Sequence, residues 1–229
     1  MELTRSQART FYDRFGAKQD TQAFYEDAAL GELIAHASFE KAESVFEFGC
    51  GTGRFASRLL AKHLPASARY SGIDISQTMI DIARQRVSHY EERASVALSD
   101  GSIFFPQRDR SVDRVISTYV LDLLPEADIL QAVSEARRVL TPDGKLCLVG
   151  LTKGTRPVSR LVAGLWSALF RLHAPIVGGC RPVLLASFVS PQSWSIEYRD
   201  VITQFGVPSE VLVASPASHT QQGAEAGRA

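Results

Sequence analysis

The chain has 229 residues, and its 25 basic and 25 acidic side chains leave no net charge at neutral pH. That balance provides no molecule-wide field to gather nucleic acid or anionic lipid, although it does not exclude a local basic patch. Three scattered cysteines, Cys50, Cys147 and Cys180, exclude a disulfide framework and a paired-cysteine zinc site, and they fit a reducing, cytoplasmic compartment.

The opening "MELTRSQARTFYDRFG" is helical in pattern, mixed in charge and without the apolar core of a secretory signal. No run approaches the ~20 apolar residues of a membrane span. Residues 1–40 are read as a helical cap on the domain formed by residues 41–215. From residue 45 strand and helix alternate. "SVFEF" is a strand, "RFASRLLAKHLP" a helix stopped by Pro65, and "YSGIDIS" the next strand, with Ser76 as N-cap of "QTMIDIARQRVSHY". "SVALSD" and "VDRVISTY" read as further buried strands. "DILQAVSEARRVL" is an amphipathic helix through Ile129, Val133, Ala136 and Leu140, and the turn "TPDG" feeds the strand "KLCLVGL". "WSIEYRDVITQ", with Trp194, Ile196 and Tyr198 at period two, and "SEVLVAS" form a closing hairpin around "FGVP". This alternation predicts an α/β, doubly wound, mostly parallel sheet of Rossmann-like type ending in an antiparallel hairpin, with helices on both faces. Residues 216–229 lack periodic apolar positions and read as a disordered tail.

The loop after the first strand, "VFEFGCGTGR", carries Gly49, Gly51 and Gly53 at alternate positions after Glu47. In such a sheet this loop borders the ligand crevice, and its glycines let a ligand approach the backbone. A nicotinamide fingerprint needs glycine three places after Gly51, where Arg54 stands. An NAD(P)-dependent oxidoreductase is therefore the weaker of two readings, and a cofactor-binding scaffold without catalysis is a third.

The pattern resembles motif I of the class I methyltransferases that use S-adenosylmethionine, and more broadly the ubiquinone and menaquinone C-methyltransferase group. The order of "YSGIDIS", "ALSDGSIFFP", "SVDRVISTYVLDLLP" and "EARRVLTPDGKLCLVG" after the glycine loop carries that resemblance over residues 45–150. It implies S-adenosyl-L-methionine as cofactor. It assigns Glu47 to the ammonium side of the methionine tail, Asp74 to the ribose hydroxyls, Asp100 to the adenine amine, and Ile75 and Met79 to the ribose and adenine faces. Gly101, Ser102 and Ser117 complete the cofactor set, and Tyr12 of "FYDRFG" is either a cap over the cofactor or a core aromatic.

Methyl transfer is an in-line displacement, so the protein mainly aligns the acceptor, at ~3–3.5 Å between the reacting atoms. Asp122 is a candidate base or an exposed acid at a helix start. Tyr119 is a candidate partner of the sulfonium through its ring face, and His173 is a further candidate base. Residues 152–190, "TKGTRPVSRLVAGLWSALFRLHAPIVGGCRPV" in large part, form an insertion with a broad apolar helical face over 157–172. A crossover helix, a substrate lid and a membrane-touching helix are the three readings of it. The expected partner is a small, apolar or weakly polar acceptor, such as a quinone, an aromatic ring, a lipid or a thiol. No nucleic acid and no metal are expected, and the chain is read as a monomer or homodimer.

Overall fold

The computed structural model of the protein describes residues 4–90, 92–154 and 180–217. Two helices come first, α1 (Arg5–Phe15) and α2 (Ala23–Ala37), joined by a 3₁₀ turn over Gly16–Gln22. Thr4 starts α1 with a reciprocal cap. Its hydroxyl accepts from the Gln7 amide, and the Gln7 side chain accepts from the Thr4 amide. Alternation follows: β1 (Ser44–Phe48), α3 (Arg54–Lys62), β2 (Arg69–Asp74), α4 (Gln77–Val87), β3 (Ala94–Leu98), β4 (Val112–Thr118), α5 (Glu126–Val139) and β5 (Leu140–Leu151). The hairpin β6 (Trp194–Gln204) and β7 (Val207–Pro216) ends the described chain.

The seven strands among the described residues form one sheet in the order β3-β2-β1-β4-β5-β7-β6. Strands β1 to β5 pair in parallel, whereas β7 runs antiparallel to both neighbours. This is the doubly wound, mostly parallel sheet with a hairpin edge that the alternation predicts. Strand order reverses between β1 and β4, so the crevice for a ligand opens beyond the ends of those two strands.

Successive strand residues point to opposite faces and divide the core in two. Val45, Tyr70, Ile116 and Cys147 pack under α2, α3 and α4, with Leu33, Leu59 and Ile80 fully buried against them. Phe46, Val115, Leu146 and Leu148 pack on the other face with Phe105 and with Ile129, Val133 and Ala136 of α5. Each such side chain contributes about 1.5–3 kcal/mol on burial.

Three sequence expectations change. The strand of "SVALSD" is the sheet's edge rather than a buried strand, and only Val96 of β3 is buried. The "TPDG" turn lies inside β5, where residues 141–144 bulge between the pairs Val112–Leu140 and Arg114–Lys145. Asp113 opposite the bulge accepts from Thr141 Oγ1 and from the Glu43 and Ser44 amides, which holds it in place. On β6 the period-two pattern breaks: Trp194 is buried, Ile196 is 42% exposed, and the register shifts between Ile196 and Tyr198. The insertion's apolar segment over 157–172 and His173 lie outside the described residues. Its last part is packed, since Arg181 donates its amide to the Asp122 carbonyl, Val183 to Leu151, and Leu185 to the buried Glu210 carboxylate.

Candidate active site

Strand β1 ends at Phe48, and the chain turns so that the Gly49 and Cys50 amides both donate to the Ile73 carbonyl of β2, at 2.8 and 3.0 Å. Gly49 and Gly51 have φ of +79° and +51°. A Cβ on Gly49 would lie 2.3 Å from Val120 Cγ2, so the loop and the end of β4 leave no room for a side chain. Gly53 (φ +71°) is the left-handed residue before α3, and a Cβ there would meet Ala83 of α4 at 3.0 Å.

Asp74, the last residue of β2, fastens this loop. One carboxylate oxygen accepts from the Gly51 amide and the other from the Ser76 amide, both at 2.9 Å. Burial raises its pKa and these amides oppose the rise. Beside it is a cavity of about 260 Å³ at the ends of β1, β2 and β4. Tyr12, Gly49, Gly51, Asp74, Ile75, Gly101, Ser102 and Tyr119 line it together.

The other predicted cofactor residues are not on its wall. Gly53 is engaged in packing α3 on α4. Met79 is 1% exposed within the core, and its amide is capped by the Ser76 hydroxyl. Ser117 is buried, and its hydroxyl donates to the Phe48 carbonyl, tying β4 to β1. Asp100 is exposed, and its carboxylate turns back to accept from the Ser102 amide at 2.8 Å. Gly101 and Ser102 after it line the cavity, and Asp100 does not.

Glu47 lines a smaller polar pocket on the far side of the glycine loop, together with Gln19, Asp20, Glu26, Arg54 and Tyr119. Its buried carboxylate accepts from the Tyr70 hydroxyl. Burial pushes its pKa up to about 7, against that hydrogen bond and helped by the charge of Asp74. Tyr70 reaches it because Glu47 faces Gly72 across the β1–β2 pair, and a Cβ at Gly72 would stand 2.8 Å from the phenol oxygen and 2.9 Å from Cys50 Cβ. Burial pushes the Cys50 thiol up, so it is a small protonated packing group. Glu26, whose partner is Arg54 at 3.2 Å, is also raised to about 7 by burial.

Gln19 has no sequence signal beyond following "FYDRFG", and sequence reasoning misses it. It lines both pockets, with its amide group over Gly51. Neighbouring Asp20 accepts from Thr52 Oγ1 and from Arg86, each at 2.7 Å, which clamps the 3₁₀ turn onto the glycine loop and α4. Burial works against the Asp20 charge, but Arg86 and Thr52 outweigh it and hold its pKa below the usual value.

Asp122 corrects the expectation of an exposed acid. It is fully buried in the turn Leu121–Leu123, accepts from the Leu151 amide through Oδ2, and has no partner for Oδ1 among the described residues. Burial pushes its pKa up to about 7, opposed by the Leu151 amide. Asp122 does not line the cavity itself, but its charge is felt by Tyr12, Tyr25 and Cys180, whose pKa values burial raises first. Tyr119 has φ +56°, a strained value for a bulky residue and one that clusters at functional sites. Its hydroxyl donates to Ser209 Oγ of β7 at 2.9 Å, and its ring meets Tyr25 edge to face at 5.9 Å.

Residues 45–144 match the model of a methyltransferase-domain family. The matched stretch is 100 of the 229 residues and runs from β1 into β5. Curated proteins similar to this chain include demethylmenaquinone methyltransferases from Lactobacillus johnsonii and Deinococcus radiodurans. The first is 32% identical over 54% of this chain and 48% of its own length. The second is 33% identical over 64% of this chain and 54% of its own. The chain thus spans about half the length of the curated relatives it matches. Solved structures share the fold. The [4+2]-cyclase SpnF has a TM-score of 0.70 at 16% identity, covering 93% of this chain and 97% of its own. The N-methyltransferase NodS from Bradyrhizobium japonicum, in complex with S-adenosyl-L-homocysteine, has a TM-score of 0.63 at 18% identity, covering 84% and 88%. Among the described residues, no helix is long and apolar enough to cross a membrane.

Proposed function

We propose that this protein transfers a methyl group from S-adenosylmethionine to a small acceptor. The observation that carries the reading is the chemistry around the glycine loop. A diphosphate needs free loop amides and a positive field, but here the Gly51 amide is engaged by Asp74 and the Gly53 amide by the Cys50 carbonyl. Asp20, Glu26, Glu47 and Asp74 surround the loop instead. That setting offers carboxyl acceptors to a ligand where a diphosphate would need free amide donors, which suits a cationic group better.

When bound, the cofactor supplies an electrophilic methyl group on a positively charged sulfur. The chain's residues do the rest. Gly49 and Gly51 admit the ligand to the backbone, Asp74 keeps free lone pairs for the ribose hydroxyls, and Ile75, Gly101 and Ser102 border the adenine. The Tyr119 ring offers its face to positive charge, a contact of ~0.5–2 kcal/mol. Asp122 is fully buried and off the cavity wall, so it acts on the site through its charge on Tyr12, Tyr25 and Cys180 and not by touching the acceptor.

The relatives' names point to a quinol as acceptor, whose ring carbon loses a proton as it gains the methyl group. The test is titration calorimetry with S-adenosylhomocysteine and NADH, followed by a methyl-transfer assay on 1,4-naphthoquinols. Binding of the first ligand alone and transfer to a naphthoquinol support the reading, whereas binding of NADH alone overturns it.

A further inference from the structure

Gln19 is the polar group of the site that its surroundings leave unanswered. Its Oε1 is buried and accepts no hydrogen bond among the described residues. A buried oxygen without a donor forgoes a hydrogen bond it had in water, and native proteins rarely tolerate this without a reason. The amide is not there by slack. Asp20, the next residue, is clamped by Arg86 and Thr52, so the turn that carries Gln19 is fixed on the glycine loop. A Cβ built on Gly51 would lie 3.2 Å from Gln19 Oε1 and 3.4 Å from Nε2, so the amide group lies flat over that glycine. It also stands between the larger cavity and the acidic pocket of Glu26 and Glu47.

We propose that Gln19 recognises the amino-acid end of the cofactor, its side-chain oxygen accepting from the ligand's α-ammonium group. A carboxamide suits this position. It offers an acceptor to a cation without adding a further negative charge beside Asp20, Glu26, Glu47 and Asp74, whose mutual repulsion another carboxylate would worsen. Its Nε2 remains a donor for the carboxylate of the same zwitterion. The inference deepens the methyl-transfer reading and rests on it for the identity of the ligand.

Calorimetric titration of wild-type protein and Gln19→Met, a substitution of similar length without hydrogen-bonding groups, tests it. The probes are S-adenosylhomocysteine and its desamino analogue, which lacks only the ammonium group. Gln19→Met is expected to weaken S-adenosylhomocysteine binding by about 10- to 100-fold, the range for a hydrogen bond to a charged group. It should shift the desamino analogue by less than about threefold, because the lost partner is then already absent from the ligand. Thermal melts of the two proteins report whether the variant is folded. Equal losses for both ligands, or no loss for either, overturn the assignment while leaving the cofactor reading intact. Wild-type protein that binds neither ligand overturns the cofactor reading, and this assignment with it.

Discussion

Asp122 gives the sharpest test of how the interior treats charge. It is 0% exposed, and its carboxyl is held near pH 7 instead of its usual 3.8. At ~1.4 kcal/mol per pH unit, that displacement corresponds to an upper value of about 4 kcal/mol. The folded protein holds this proton more tightly than the unfolded chain does. The associated stability is therefore complete below about pH 4 and is lost as pH rises toward 7. Asp122→Asn removes the ionisation while keeping the shape. At pH 5 the variant should be as stable as wild type or slightly less so, because its amide nitrogen replaces an oxygen that already lacks a partner. At pH 8 it should gain up to about 3 kcal/mol relative to its standing at pH 5, the part of the displacement between pH 5 and 7, read as a difference of the two urea-unfolding comparisons. At ~2–4 °C per kcal/mol for a chain of this size, melting curves will show it as well. Relative stabilities at the two pH values that agree within about 0.5 kcal/mol would refute the reasoning. The buried carboxyl would then be ionised with little penalty.

Asp74→Ala should both weaken S-adenosylhomocysteine binding by at least ~10-fold and cost about 2 kcal/mol of stability, since the Gly51 and Ser76 amides lose their acceptor. Unchanged affinity in calorimetry would remove Asp74 from the site. Phe205, 74% exposed at φ +50°, occupies with Gly206 the two-residue turn between β6 and β7, where asparagine is the favoured partner of glycine. Phe205→Asn is expected to stabilise the protein by about 0.5–1 kcal/mol in urea unfolding, and a loss would show that the exposed ring supports the fold. Gly53→Ala combines a left-handed backbone with a contact against the Ala83 backbone at 3.1 Å. It should cost about 2–4 kcal/mol, and a cost under 1 kcal/mol in the same assay would mean that α3 and α4 can separate freely.

The sheet was legible because its signals are local. Period and punctuation mark β1, α3, β2 and α4, and the alternate glycines mark the switch point between β1 and β4. What failed depended on neighbours. Nothing in "SVALSD" says that β3 is the last strand on its side, and "TPDG" reads as a turn until Asp113 is seen holding it within a strand. The same division runs through the site. Gly49, Gly51 and Asp74 lie on the chain's own loop and strand tips, and spacing finds them. Asp100 resembles a ligand by its position at a strand end, yet its carboxyl turns onto the Ser102 amide, and Gly101 and Ser102 line the cavity instead. Asp122 reads as a surface acid because its burial comes from the 180–189 segment and the end of β5. Gln19 meets Gly51 only through the clamp at Asp20, a contact across distant parts of the chain that no motif records.

The bare α-carbon of Gly72 has a reach beyond its own strand. It leaves the gap through which the phenol of Tyr70 meets the acid of Glu47, so one missing methyl bears on how acidic the margin of the glycine loop is. Alanine at that position would push the phenol away and strand the carboxyl without its donor, making Glu47 still harder to ionise. The acidity of a carboxyl beside the glycine loop thus depends here on a residue with no side chain or charge of its own.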